Sequence, residues 1–331
     1  MAPAGGPQRL VGDIGATNAR FALLDSAGTI SRTRVLACDD FPTIEAAIAA
    51  YLAEEAVPAP QEAALAVASP ITGDAVTMTN HPWSFSIAGL RERLALARLL
   101  VVNDFAANAL AVPRLKAEER SAIGGGAPIA GQPVGVIGPG TGLGVSGLVP
   151  TPSGWIAISG EGGHATMPPA DHRESEVLEH MRRRFDHVSA ERVLSGPGLV
   201  NLYNTLAEIE SVPAAPFTPA QIADRQIGES DPLAREALEL FCAMLGTVAG
   251  DLALTLGARG GIYIAGGIVP RLGASFAASR FRERFEAKGR FRVYLASIPT
   301  YVVIHSIPAM LGLAALLEGG APEKAPADAT R

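Results

Sequence analysis

Two stretches of this chain share one grammar, and that repeat limits what the chain can fold into. Arg9–Ile14 reads as a buried strand, Gly15-Ala16-Thr17-Asn18 as a tight turn, and Ala19–Leu24 as a returning strand. In the second half, Val134–Gly138, the turn Pro139-Gly140-Thr141-Gly142 and Leu143–Val149 repeat the arrangement. Each pair is followed by a third strand, Thr29–Ala37 in the first half and Trp155–Ser159 in the second, so each half opens as an antiparallel meander. One glycine-rich hairpin is common; two, each with a threonine in its turn, can clasp a polyphosphate from opposite sides. The backbone N–H groups of such a turn form a nest for phosphate oxygens. Asp13 interrupts an otherwise apolar strand, where an unpaired carboxylate is costly to bury. A nearby phosphate or metal-bound water would account for it, although turn chemistry alone also explains Asp13 and Thr17. Arg20 is either an extra positive group or a strand-face residue.

Composition narrows the chemistry. Among 331 residues there are three lysines, Lys116, Lys288 and Lys324, and none follows a glycine-rich loop, so the lysine of a P-loop is missing. Phosphate must then be handled by backbone N–H groups, hydroxyls, arginine or a metal. The net charge of −6 is mild, and the triplet Arg182-Arg183-Arg184 falls at the end of an expected helix, where cations suit the macrodipole. Neither a nucleic-acid nor a membrane partner has support. No apolar run reaches the roughly eighteen residues of a membrane span, and MAPAGGPQRL lacks the apolar core of a signal peptide, so a cytoplasmic protein is expected. Cys38 and Cys242 have no metal-ligand spacing, and Cys242 sits in an apolar helix pattern as core.

The remaining chain supplies the polar groups. Leu99–Val102 is a strand, and the helix beginning at Phe105 runs to Pro113. Between them, Asn103-Asp104 lies at the carboxyl end of the strand, where open α/β sheets place ligands. Asp104 read in isolation is a helix N-cap. Ala63–Ala68 is another buried strand ending at Ser69-Pro70; Ser69 is either a ligand-facing hydroxyl or a strand end, and His81 is structural. Lys116–Gly131 reads as a domain boundary. Ser159-Gly160-Glu161-Gly162-Gly163-His164 lets backbone approach a ligand while Glu161 and His164 project into one region. Ser189 caps a helix with Glu191 in its first turn. The segment Ser211–Asp231 is a Pro-rich loop before a long apolar helix, Pro232–Leu256. Ile262–Ala265 is a strand followed by Gly266-Gly267, bare backbone against which a flat ring can lie. A helix to Lys288, strands Val293–Ser297 and Tyr301–Ile304, a helix Pro308–Leu317 and a mobile tail from Gly319 complete the reading.

The segments VGDIGATNARFALLD, VVNDFAANALAVPRL, VIGPGTGLGVSGLV, SGEGGHATMPP, HVSAERVLSGPGLVNLYNTL and GIYIAGGIVPRL, in this order, resemble the zinc-free bacterial glucokinases of the hexokinase/actin-like ATPase superfamily. The likeness runs from residue 9 to about 317, with SGEGGH and the ERVLSGPGLVNLY block its most specific pieces. It implies a two-domain α/β, ribonuclease H-like fold: residues 1–114 with 305–318 form a small α/β domain, 115–304 a larger α+β domain, with a cleft between them. It implies Asp104 as general base, with Asn103, Asp104, Glu161, His164 and Glu191 binding D-glucose. Gly12, Asp13, Ile14, Gly15, Ala16 and Thr17 would hold ATP phosphates, with Asp13 on the Mg²⁺ side. Gly140, Thr141 and Gly142 would form the second phosphate loop, Gly266 and Gly267 would face the adenosine, and a homodimer is expected. The family usually carries Gly-Gly-Thr where this chain has Gly15-Ala16-Thr17, so Ala16 tests whether that position needs a positive φ. Other hexose or N-acetylhexosamine kinases, a non-catalytic sugar sensor, and polyphosphate as donor are the alternatives left open.

Overall fold

Alternating burial sets the first sheet. The structure, a computed structural model, describes residues 8–319; the tail expected beyond Gly319 lies outside the described residues. β1 (Arg9–Ile14), β2 (Asn18–Leu24), β3 (Ile30–Ala37) and β4 (Glu62–Val67) are followed by a small hairpin, β5 (Ala75–Thr77) with β6 (Ser84–Ser86), and then by β7 (Arg98–Asn103). The five-stranded sheet runs β3-β2-β1-β4-β7. Its first three strands are antiparallel, whereas β1–β4 and β4–β7 are parallel, with Ile14 opposite Val67 and Val67 opposite Asn103. That register brings the carboxyl ends of three parallel strands into one row. Leu10 and Ile14 point into a core with Phe21, Leu65 and Tyr51 of the helix Ile44–Glu54. On the other face Val11, Ala22, Ala64 and Ala66 pack with Ala107, Met310 and Leu313 of the helices Asp104–Ala111 and Pro308–Glu318.

The second sheet is built from β8 (Arg120–Gly124), β9 (Val134–Pro139), β10 (Leu143–Thr151), β11 (Gly154–Ser159), β12 (Ile262–Ile264) and β13 (Thr300–Val303), in the order β11-β10-β9-β12-β13-β8. β9 is antiparallel to β10 and parallel to β12, and β12 is parallel to β13. Five strands thus repeat the order of the first sheet, and β8 is added antiparallel to β13. The repeated hairpin read from the sequence is the visible part of a repeated sheet. The chain divides into two compact units. One comprises residues up to Leu115, Thr151–Ser159 and the chain from Ser306; the other comprises Lys116–Pro150 and Gly160–His305.

The centre of the second unit is the helix Pro232–Leu256. Asp231 caps it by accepting from the N–H groups of Leu233 and Ala234 at 2.9 and 3.0 Å, proline occupies its first turn, and Gly257 at φ +60° ends it. Its length and mean hydropathy of 1.6 would suit a membrane crossing, but 67% of that apolar window is buried. Phe241, Met244 and Leu245 are core together with Leu199, Leu202 and Phe285. Gly246 is obligatory here, since a Cβ would stand 2.2 Å from the Phe281 carbonyl oxygen of the helix Phe281–Glu286.

Several expected elements differ. The segment Lys116–Gly131, read as a domain boundary, does open the second unit at Lys116, but it also holds an edge strand, Arg120–Gly124, whose weak burial conceals any alternation. Val293–Ser297, expected as a strand, is the short helix Arg292–Ala296, with Val293 82% exposed and only Leu295 buried. The Pro-rich loop contains the helices Pro219–Ile222 and Arg225–Ser230. The helix expected up to Lys288 is three short ones, broken first by Gly273 at φ +52°. The helix expected to open at Ser189 is a single 3₁₀ turn, Ala190–Arg192.

Candidate active site

In the first unit the predicted residues gather at the carboxyl ends of the parallel strands. Asp13 lies one residue before the end of β1 and pairs across the sheet with Arg20 of β2, whose Nη1 is 3.1 Å from its Oδ2. Burial raises the Asp13 pKa, and the charge and hydrogen bond of Arg20 offset this only in part. The turn that follows closes through Gly15 N–H to the Asn18 carbonyl at 3.0 Å. Cys38 braces it from beneath: its N–H donates to Thr17 O at 2.9 Å and its thiol to Gly15 O at 3.4 Å. Ala16 is not among the residues with positive φ, so its methyl is accommodated without backbone strain.

At the end of β7 the structure revises the capping assignment. Asn103, not Asp104, is the N-cap of Asp104–Ala111; its Oδ1 accepts from the N–H groups of Phe105 and Ala106 at 2.8 and 3.3 Å. Its Nδ2 donates to Ser69 O at 3.4 Å. Asp104 is the first helical residue, half-buried, with Oδ1 accepting from Phe105 N–H at 2.9 Å. Ser69 is buried and bonded to Thr79 through both its hydroxyl and the Thr79 N–H, which makes it a strand-end brace. His81 packs edge-on against Trp83 beside Asp39, as structural chemistry requires.

The second unit holds the other set. The Gly140–Gly142 turn is closed by Gly140 N–H to Gly142 O at 2.8 Å. Glu191 Oε2 accepts from Leu143 N–H at 2.9 Å, which places this carboxylate directly on the hairpin. Glu161 precedes a 3₁₀ turn, Gly162–His164, and both Glu161 and His164 are exposed. Gly163 allows that turn to lie on β10, because a Cβ would stand 2.0 Å from Leu143 O. Ala190 N–H to Ala165 O at 2.8 Å and Met167 N–H to Val188 O at 3.0 Å dock it against the Glu191 turn.

A cavity of about 1270 Å³ opens beside this group, lined by Gly140, Thr141, Gly196, Pro197, Gly267 and Arg271, with Ile222, Leu238 and Cys242 deeper in its wall. Gly266 supports it from behind: at φ +82°, its missing Cβ would stand 2.4 Å from Pro139 O. The cavity is large for a small-molecule site and mixes apolar wall with backbone-rich turns, as a nucleotide needs. Its wall from Thr218 to Asp224 escaped the sequence reading. The signal was present in Thr218-Pro219-Ala220-Gln221, a capping box that announces a helix start. Cys242, read as core, is both buried and part of the wall, and burial pushes its thiol pKa up to about 12.

A mixed α/β chain with two related sheets, carboxylates at strand ends and two Gly/Thr hairpins offers turns of the kind that hold phosphate. A family model described as Glucokinase matches residues 10–319. The glucokinase of Aromatoleum aromaticum is 54% identical over 312 residues, covering 94% of each chain. That of Neisseria gonorrhoeae is 50% identical over 309 residues, covering 93% of this chain and 94% of the relative. The solved structure of a glucokinase from an Antarctic psychrotroph superposes with a TM-score of 0.86 at 36% identity, covering 95% of this chain and all of that one. The chain belongs to the glucokinase family, and its activity is ATP-dependent phosphorylation of glucose.

Proposed function

We propose that Asp104 is the general base of this reaction, accepting the proton of the glucose 6-hydroxyl as that oxygen attacks the γ-phosphorus of ATP. One observation carries the assignment: Asn103 holds the cap position, and the carboxylate that follows it stands at the carboxyl end of a parallel strand, where open α/β sheets place ligands. Asn103 commits its amide oxygen to the cap and retains N–H capacity for a sugar hydroxyl. Glu161, His164 and Glu191 supply acceptors and a ring nitrogen for the other hydroxyls. A site built to hydrogen-bond hydroxyls rejects analogues lacking them strongly.

The turns of the Gly12–Thr17 and Gly140–Gly142 segments hold the phosphates in place of a lysine, through donors other than the Gly15 and Gly140 N–H groups that close them, and Gly266-Gly267 faces the adenosine. Asp13 suits the neighbourhood of Mg²⁺: Arg20 offsets its burial only in part, which leaves the carboxylate short of positive charge. Among the described residues no cluster of three His, Cys, Asp or Glu side chains could cage an ion; Mg²⁺ in such sites is held by one or two carboxylates, waters and substrate phosphates. When bound, it offsets the charge carried by the phosphates. In this reading the two units are the small and large domains of an actin-like, ribonuclease H-like ATPase fold. A cytoplasmic homodimer completes the reading, and light scattering of the purified protein tests the dimer.

Asp104→Asn tests the base. The turnover number should fall about 10²–10⁴-fold, while glucose binding measured by calorimetry changes little. Near-normal turnover would remove Asp104 from the role. A panel of hexoses and N-acetylhexosamines in a coupled ADP-release assay, with ATP and with polyphosphate, should rank glucose with ATP first.

A further inference from the structure

We propose that Glu191, besides binding sugar, is a positioning residue for the nucleotide, through the hairpin that follows β9. Its Oε2 accepts from the N–H of Leu143, the residue immediately after the Gly140–Gly142 turn, at 2.9 Å. Gly142 leaves room for this carboxylate: a Cβ there would lie 2.5 Å from the same oxygen. The other side of the turn is held from the same short segment, where Gly196 N–H donates to Gly140 O at 2.8 Å. Ser195 locks the segment internally, donating through its hydroxyl to Glu191 O at 2.8 Å and accepting from Gly198 N–H at 2.9 Å. Residues 191–196 therefore grip both ends of a turn whose Gly140 and Thr141 line the large cavity.

The physical case rests on preorganisation. Without a loop lysine, the hairpin binds phosphate by the direction of its N–H groups, and that direction is worth affinity only if fixed before the ligand arrives. What the tether needs is an acceptor oxygen at that reach, which holds the Leu143 N–H in one direction. One carboxylate that touches sugar and tethers the phosphate turn couples the two sites, and such coupling is reciprocal. The inference rests on the sugar role of Glu191 and the phosphate role of the hairpin; the experiment separates them.

MgADP binding is measured by calorimetry on sugar-free protein, with circular dichroism and melting curves as controls of folding. Glu191→Gln keeps an acceptor oxygen at the same reach, and its ADP dissociation constant should stay within about twofold of wild type. Glu191→Ala loses the acceptor and Glu191→Asp falls one methylene short, so both should weaken ADP by about fivefold or more. If Glu191→Ala fails to fold, Glu191→Asp carries the test alone. Wild-type ADP affinity in Glu191→Asp, or equal loss in Glu191→Gln and Glu191→Asp, overturns the positioning role. Glucose binding in nucleotide-free protein is read separately: unchanged affinity in all three variants would remove the sugar role of Glu191 and leave the tether standing.

Discussion

At the scale of one residue, burial sets Asp13 against stability. Its native pKa lies above the ordinary aspartate value because burial outweighs the help of Arg20. In the unfolded chain the carboxylate ionises first as pH rises, so the native state is penalised progressively between the unfolded and native pKa values, and fully above the latter. Asp13→Asn should therefore raise the urea midpoint at pH 7 and abolish turnover, with the gain shrinking as pH falls through the native pKa towards 4. A stability gain that is independent of pH would contradict this origin. The two cysteines follow from the same physics. Burial raises both thiols, that of Cys242 to about 12, so both are held as thiols near neutrality. Neither should be alkylated rapidly by iodoacetamide at pH 7.5 in the native protein, and mass spectrometry should find both modified after unfolding.

At the scale of elements, the helix carrying Asp104 is positioned by the helix Pro308–Glu318 from the far end of the chain. The two cross at Gly312, where a Cβ would stand 1.8 Å from Ala107 O, a backbone atom that cannot step aside alone. Gly312→Ala should thus push the helices apart, cost roughly 1–3 kcal/mol of stability, and lower the turnover number although position 312 is outside the proposed chemistry. Equilibrium denaturation and steady-state kinetics on the same preparation check both effects. Most elements were legible because burial alternates along strands and recurs along helices, as in β1 and Pro232–Leu256. Arg120–Gly124 was not, since an edge strand with exposed faces has no pattern to read. At Val293 β-branching suggested a strand, but no neighbouring strand was there to accept it, and a largely exposed helical turn resulted.

For the whole molecule, two units with separate cores imply two separable unfolding events. The second unit depends on a buried pair: Arg284 Nη1 and Nη2 meet Glu174 Oε1 and Oε2 at 2.7 and 3.0 Å, and Glu174 is 0% exposed. Arg284→Ala leaves that carboxylate uncompensated and should cost about 3–5 kcal/mol, confined to this unit. Trp83 is buried in the first unit. Trp155, the other tryptophan, lies on β11 of the second sheet; with Trp155→Phe added to the variant, far-UV circular dichroism should report an early transition that the fluorescence of Trp83 follows only weakly. Coincident transitions would show that the units unfold together.

Strand alternation, glycine turns and short motifs are local properties of a chain, so the duplicated strand–turn–strand grammar, the polar residues at strand ends and the family could be read before any fold was known. Which neighbour of a pair does which task depends on contacts that form only on folding. Asn103 rather than Asp104 caps the helix, since the cap oxygen must reach N–H groups two and three residues onward. Glu191, which stands in the first turn after the Ser189 cap as the sequence placed it, also spends one oxygen on a hairpin 48 residues earlier in the chain. That bond depends on how β9, β10 and the 3₁₀ turn pack, and no spacing along the chain encodes it. The same holds for the cavity wall from Thr218 to Asp224, which becomes a wall only when folded against Gly140 and Gly267.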